Sequence, residues 1–122
     1  MKNNTTKKDY EMFKKECKKW IKTLELSHWN IVYEHKELGN ADAQSTIQLG
    51  DYTALIGLST DISQEGIDLD MSFDEYIKEC AKHEVVHVLT GRLSENARSR
   101  FVSSGDLYES VEELVTKLTK LL

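Results

Sequence analysis

The stretch "SFDEYIKECAKHEVVHVLTG", residues 72–91, predicts a helix with a recognisable start and end. Ser72 followed by Glu75 matches the capping box. In this motif the serine oxygen accepts a hydrogen bond from the backbone N–H three residues on, and the glutamate carboxylate accepts one from the serine N–H. Gly91 is a favourable residue just past the last turn of a helix, so we predict that the helix ends there.

The second half of this helix is apolar around most of its circumference. Its first half has a polar face, but after residue 83 three valines and a leucine occupy four of the five positions from 85 to 89. A helix that is apolar on all sides is usually buried. We therefore expect the helix to enter the interior of the domain where it carries His83 and His87.

Upstream of this helix, the pattern predicts one further helix and a small sheet. Apolar residues recur at helical spacing between residues 7 and 25, and lysines fill the opposite face. Residues 1–22 hold eight lysines against three acidic residues, which we interpret as a solvated helix face rather than a nucleic-acid patch. Three strands are then predicted in "HWNIVYEHKEL", "QSTIQLGD" and "YTALIGLST", and the last of these should be buried. The following segment "DISQEGIDLD" is loop-like.

Downstream of Gly91, a connection, "RLSENARSRFVSSG", precedes a final helix that should begin near Asp106. Its apolar residues share one face, which we expect to pack on the domain. These residues are Leu107, Val111, Leu114, Leu118 and Leu121.

The composition fits one domain spanning residues 1–122. Hydrophobic residues make up 39% of the chain, enough for a single modest core. No apolar run approaches the roughly 20 residues needed to cross a bilayer, and no apolar segment follows the N-terminal lysines as in a secretory signal. The two cysteines, Cys17 and Cys80, do not form a CxxC pair and are expected to be buried thiols in a reducing compartment. We therefore expect a cytoplasmic protein that binds neither membranes nor nucleic acid.

The motif HEVVH at residues 83–87 predicts a metal site. Positions i and i+4 of a helix lie on one face, so His83 and His87 can offer two nitrogens to the same ion. Glu84 lies about 100° further around the axis, where it can act as a base towards a water held by the metal. The competing interpretation is a pair of core histidines without a metal. We favour the metal because two buried imidazoles beside a carboxylate are costly to desolvate.

A catalytic zinc usually has three protein ligands, and the third is not obvious here. Ten residues after His83 the chain has Leu93 rather than histidine. The remaining histidines, His28 and His35, lie before the sheet, and His28, beside Trp29, is interpreted as a strand-end or surface residue. Cys80 shares the metal-facing side of the helix, but we interpret it as a packed thiol. Carboxylates of the last helix remain as candidates.

Three glutamates of the last helix are candidates, and they differ in their predicted surroundings. Glu109 can complete a capping box with Asp106, and Glu113 can pair with Lys117 one turn later. Glu112 lies at the border of the apolar face and has no basic residue three or four positions further on. Glu112 is therefore the favoured ligand, with Glu113 and Glu109 as alternatives.

In these residues the chain is similar to the zincin metallopeptidases, and among them it resembles the gluzincins. The resemblance rests on HEVVH and on a glutamate in "ESVEELVTKL", and the chain's brevity is similar to that of minigluzincins and small HExxH proteins of bacteria and phages. It implies an α+β, zincin-like fold. Such a fold has an N-terminal helix, a small twisted three-stranded sheet, a buried active-site helix and a C-terminal helix that carries the glutamate ligand.

The resemblance also implies a zinc metallopeptidase that acts on a peptide or protein substrate. His83, His87 and Glu112 would hold Zn²⁺, and Glu84 would be the general base. Tyr108 is the one tyrosine after the motif and is the candidate for stabilising the oxyanion, although core packing is its alternative role. Gluzincins often carry an aspartate four residues after the ligand glutamate, whereas this chain has Thr116 after Glu112.

Two other functions remain as hypotheses. One is a zincin-fold protein that binds metal and serves as an interaction or structural module without peptidase activity. The other is an acidic adaptor in which HExxH occurs by chance. Nothing in the sequence indicates an oligomeric state or a preferred substrate side chain.

Overall fold

The computed structural model describes residues 2–63, 71–98 and 103–121, and within them the chain has an α+β fold. The three helices are α1 (Lys7–Thr23), α2 (Phe73–Arg98) and α3 (Ser104–Leu121). The five strands are β1 (Lys2–Asn4), β2 (Asn30–Lys36), β3 (Ala43–Gln48), β4 (Thr53–Ser59) and β5 (Asp61–Ser63). A short 3₁₀ turn, Leu49–Asp51, joins β3 to β4.

The main sheet has three strands in the order β2-β4-β3. The central strand β4 pairs in parallel with β2 and antiparallel with β3. The prediction that β4 is buried is confirmed, because Ala54, Ile56 and Leu58 are fully enclosed. With β4 in the middle, β3 forms one edge of this sheet.

Helix α1 begins at a capping box and contributes apolar residues to the core. Thr6 and Asp9 form a capping box, and Phe13 and Cys17 are completely buried against α2 and the sheet. Helix α2 adds its own apolar residues to this core. These residues are Ile77, Ala81, Val85, Val88 and Leu89.

The predicted start of α2 is confirmed, but its predicted end at Gly91 is wrong. The Glu75 N–H donates to Ser72 Oγ at 3.1 Å, and the Ser72 N–H donates to the Glu75 carboxylate at 3.4 Å. The helix then continues to Arg98, so most of the segment predicted as a connection is helical. A Cβ at position 91 would lie 3.1 Å from Ile47 Cγ1, so glycine here allows close approach to β3 rather than ending the helix.

The prediction that α2 is buried on nearly all sides is also wrong. Val85, Val88 and Leu89 are buried, whereas His83 and His87 are exposed and Val86 is 39% exposed. The histidine-bearing side of the helix lies past the edge strand β3, where the narrow sheet no longer covers it. The two imidazoles therefore face solvent.

Helix α3 differs from its prediction at its start and in its burial. The capping box joins Ser103 to Asp106, not Asp106 to Glu109 as predicted, because the helix begins two residues earlier. The predicted apolar face is only half covered by α2. Leu107 and Leu114 are partly buried, but Val111, Leu118 and Leu121 are all more than 40% exposed.

A two-stranded antiparallel ribbon of β1 and β5 was not predicted. It lies in part within the segment predicted as an acidic loop, of which residues 64–70 fall outside the described residues. The Thr5 N–H extends the ribbon by donating to the Thr60 carbonyl at 2.8 Å, and the Thr5 hydroxyl donates to the Ser59 carbonyl at the end of β4 at 2.7 Å. Among the described residues, no helix combines the length and the apolar character that a membrane span requires.

Candidate metal centre

The two histidines of the motif converge on one point. Their Nε2 atoms are 3.1 Å apart, and their rings stand nearly perpendicular, at 79°, with centroids 4.7 Å apart. The i, i+4 spacing on α2 causes this arrangement by placing both side chains on one face. The prediction that His83 and His87 lie together is confirmed.

The separation of these nitrogens fits two ligands of one zinc ion. With Zn–N bonds of about 2.0–2.1 Å and tetrahedral angles, two ligand nitrogens are about 3.3–3.4 Å apart. The observed 3.1 Å corresponds to a slightly narrower angle at the ion. At this distance the two nitrogens can also share a hydrogen bond, which an ion bound between them would replace.

Glu84 lies beside the pair but in a different environment. Its side chain is only 6% exposed, and it lines a cleft of about 380 Å³ together with His83. The remaining walls of this cleft are Asp42, Ala43, Tyr76, Glu79 and Cys80. Glu84 thus borders the same cleft as His83, and its role as a base stays a prediction.

His87 borders a second cleft, of about 340 Å³, which follows the edge strand. Ser45, Thr46 and Ile47 of β3 form one wall of it, and Thr90 and Gly91 of α2 form part of the other. Among the described strands β3 pairs only with β4, so its other side is an edge of this sheet. The histidine pair thus lies beside a strand edge that can bind an extended chain.

The Cys80 thiol lies in the first cleft and is held in its protonated form. Burial raises its pKa to about 11, a hydrogen bond with Tyr76 opposes this rise, and the carboxylates of Asp42, Glu84 and Glu79 add to it. A metal binds the thiolate rather than the thiol. The prediction that both cysteines are buried holds for Cys17, whereas Cys80 is only partly buried.

The structure places the three candidate glutamates of α3 away from the histidines. Arg92 of α2 donates to Glu109 at 2.7 Å and to Glu113 at 3.2 Å, so Glu113 pairs with Arg92 and not with Lys117 as predicted. Glu112 is exposed and lines another cleft, with Arg92 and Tyr108 among its walls. Within residues 2–63, 71–98 and 103–121, no three histidine, cysteine, aspartate or glutamate side chains lie close enough together to hold a metal.

Tyr108 lies on α3 in the same cleft as Glu112. Its side chain is 66% exposed, so it does not pack in the core. His28 and His35 also lie apart from the site, and His35 stacks on Tyr10 with a centroid distance of 4.8 Å. His83 and His87 are thus in contact, Glu84 shares a cleft with His83, and Glu112 and Tyr108 line a different cleft.

Two residues at the site were not singled out from the sequence. The Tyr76 hydroxyl donates to the Asp42 carboxylate, which joins α2 to the start of β3 beside His83. Tyr76 precedes His83 by seven residues, or two helical turns, so helical spacing alone could have identified it. Asp42 could not be found in this way because its proximity depends on the packing of β3 against α2.

Comparisons of the chain with protein-family models, curated proteins and solved structures found no match.

Proposed function

We propose that this protein is a zinc-dependent hydrolase that cleaves peptide bonds. The observation that supports the proposal best is the His83–His87 pair, with its Nε2 atoms 3.1 Å apart, on the open side of α2. A buried carboxylate lines one cleft with His83, and the edge strand β3, which pairs only with β4 among the described strands, lines another with His87. Together these would supply two of the three protein ligands usual for a catalytic zinc, a base, and a means of holding a peptide.

Each residue of the site has a role that follows from its position. His83 and His87 would hold the ion through Nε2. When bound, zinc would supply Lewis-acid chemistry there, by acidifying a water and polarising a carbonyl group. Glu84 would accept a proton from the attacking water and later donate it to the leaving amine. Its low exposure limits its hydration, and it lines the cleft that also contains His83.

Strand β3 would align the substrate. An extended peptide could add to its free edge through main-chain hydrogen bonds, which do not depend on the sequence of the substrate. The cleft between β3 and α2 would then carry the peptide past His87, towards the cleft that contains Glu84. Peptides and unfolded segments of proteins are therefore the proposed substrates.

The two histidines are the ligands that the geometry supports. Glu112 remains the prediction for a third ligand, although its carboxylate lies in a separate cleft of α3. Glu113 is less exposed than the adjacent Glu112 and forms an ion pair with Arg92. Alanine variants of Glu112 and Glu113 separate these candidates, because only the loss of a true ligand weakens metal binding.

Metal content tests the first part of the proposal. Protein loaded with zinc and freed of excess should contain about one ion per chain. His83→Ala and His87→Ala should each weaken zinc binding by at least about 100-fold, beyond the usual effect of residues that merely support ligands. His28→Ala is the matched control, since His28 is exposed and distant from the pair. Wild-type protein that fails to bind zinc would refute the proposal.

Peptide cleavage tests the second part. Glu84→Gln should retain the metal and lose cleavage of a mixed peptide library, while Glu79→Gln in the same cleft should retain both. If the wild type binds zinc but cleaves no peptide, the protein is instead a metal-binding module without peptidase activity.

A further inference from the structure

A cleft of about 500 Å³ lies between α1 and β2. Its size falls within the range of about 300–1,000 Å³ that is usual for binding sites. Helix α1, strand β2 and the connection between them all contribute to its walls. We call it the α1–β2 cleft; it is lined by Lys18, Ile21, Lys22, Ser27, Trp29, Ile31 and Tyr33.

The floor of the α1–β2 cleft is apolar and follows the strand. Trp29, Ile31 and Tyr33 are two residues apart, so their side chains lie on the same side of the sheet. Trp29 is buried, and the other two are partly buried and pack against the core. At roughly 3.3 Å per residue, the floor is about 13 Å long, which matches about four residues of an extended chain.

The rim of the cleft carries positive charge that the chain itself does not neutralise. Lys18 and Lys22 are exposed and lie one turn apart on α1. Within the described residues neither forms an ion pair or a side-chain hydrogen bond, whereas Lys14 and Lys19 are paired with glutamates of the same helix. No aspartate or glutamate is among the residues that line the cleft.

The other polar groups of the lining residues are also donors. Burial raises the pKa of Tyr33, so its hydroxyl stays protonated. This hydroxyl has no hydrogen-bond partner in the described part of the chain, and the enclosed indole N–H of Trp29 lacks one as well. An anionic ligand with an apolar part is therefore the electrostatic and chemical complement of the cleft.

From these features we infer that the α1–β2 cleft binds an acidic peptide segment of a partner protein in an extended conformation. Strand β2 forms one edge of the main sheet, pairing only with β4 among the described strands, and an extended peptide can add to such an edge. Alternate side chains of the peptide would then face the cleft. An apolar side chain would lie on the floor, and acidic side chains two residues before and after it would reach Lys18 and Lys22.

The inference does not depend on the proposed hydrolase. The cleft lies at β2, whereas His87 lies beside β3, which forms the other edge of the sheet. Peptide binding at β2 requires no metal. Either function can therefore fail in experiment while the other stands.

A fluorescein-labelled peptide, Glu-Thr-Phe-Thr-Glu, tests the inference by fluorescence anisotropy with the whole chain. EDTA in the buffer prevents any zinc-dependent cleavage. We expect a dissociation constant of about 100 µM or lower. Raising the salt concentration from about 50 to 500 mM should weaken binding several-fold because the charges at the rim are exposed. The same peptide with both glutamates replaced by lysines should not bind.

Charge reversal on α1 locates the site. Lys18→Glu combined with Lys22→Glu should raise the dissociation constant at least ~10-fold, and because both side chains are exposed, circular dichroism should show an unchanged fold. The matched control combines Lys7→Glu with Lys8→Glu, an equal change of charge on exposed residues of the same helix. At 1.5 Å per residue these positions lie roughly 15 Å or more from the rim lysines, beyond a Debye length of about 10 Å, so the control should change affinity less than ~2-fold.

Amide chemical shifts in NMR spectra provide a second test of the location. Added peptide should shift the signals of β2, at Ile31 and Tyr33, and leave those of β3 unchanged. The inference is overturned if no peptide binds up to about 1 mM, if the two double variants weaken binding equally, or if the shifts map to β3 instead. A short oligothymidylate that binds through Lys18 and Lys22 while the peptide does not would also overturn it, because the partner would then be a nucleic acid.

Discussion

Gly91→Ala adds a methyl group where α2 lies against Ile47 of the edge strand β3. Two opposing effects determine how the free energy of unfolding changes. Alanine in a helix interior is favoured over glycine by about 1 kcal/mol. The new Cβ, however, would lie 3.1 Å from Ile47 Cγ1 and 3.3 Å from Cγ2. These atoms are next to the strand backbone, and β-branching restricts rotation of the Ile47 side chain. Overpacking of this kind costs about 1–3 kcal/mol, so we expect a net loss of about 1 kcal/mol in the free energy of unfolding.

In a protein that already carries Ile47→Ala, the expected effect of Gly91→Ala on the free energy of unfolding changes sign. Ile47→Ala removes the atoms that the new Cβ would meet, so Gly91→Ala in that background should stabilise the protein by up to about 1 kcal/mol. The coupling between the two positions should then be about 2 kcal/mol, as measured by urea unfolding of the four proteins of a double-mutant cycle. Gly105→Ala in α3 is the matched control, since the nearest atom to its Cβ would be 3.7 Å away. The reasoning is refuted if Gly91→Ala stabilises the wild-type protein as much as Gly105→Ala does.

Three other predictions follow from contacts described above. Ser72→Ala removes the N-terminal cap of α2 and should lower the free energy of unfolding by about 1 kcal/mol, measured by urea denaturation. The pKa of Cys80 is raised to about 11, so its alkylation by iodoacetamide should be slow at pH 7 and accelerate towards pH 11; a rate at pH 8 equal to that of a free thiol would contradict this. Arg92→Ala releases two glutamates of α3, so amide hydrogens of α3 should exchange faster while those of β4 do not change.

The features that were predicted correctly depend on residues close together in the chain. The periodicity of α1, the apolar run of β4 and the capping box of α2 are local signals, and the structure confirms each. The proximity of His83 and His87 follows from one turn of helix and needs no knowledge of the rest of the fold.

The incorrect predictions concern features that depend on packing. Gly91 signals a helix end when read locally, but its contact with Ile47 gives it a different role. The exposure of Val86 could not be predicted, because the valine-rich pattern does not reveal that the sheet ends at β3. The position of Glu112 also depends on how α3 packs on α2, which Arg92 and its two glutamates help to determine, so Glu112 as a metal ligand stays a prediction.

The order of the strands has a consequence for how the chain acquires its shape during synthesis. The central strand is the last of the three to leave the ribosome, so β2 and β3 emerge without a neighbour to pair with. Once β4 has been synthesised, it can pair at once with β3, because only a short turn separates Gln48 from its partner Thr53. Strand β2 lies further back in the chain, so a longer loop must close to bring Asn30 beside Thr53. Loop closure is faster for near neighbours, so a nascent hairpin should form first and capture β2 afterwards.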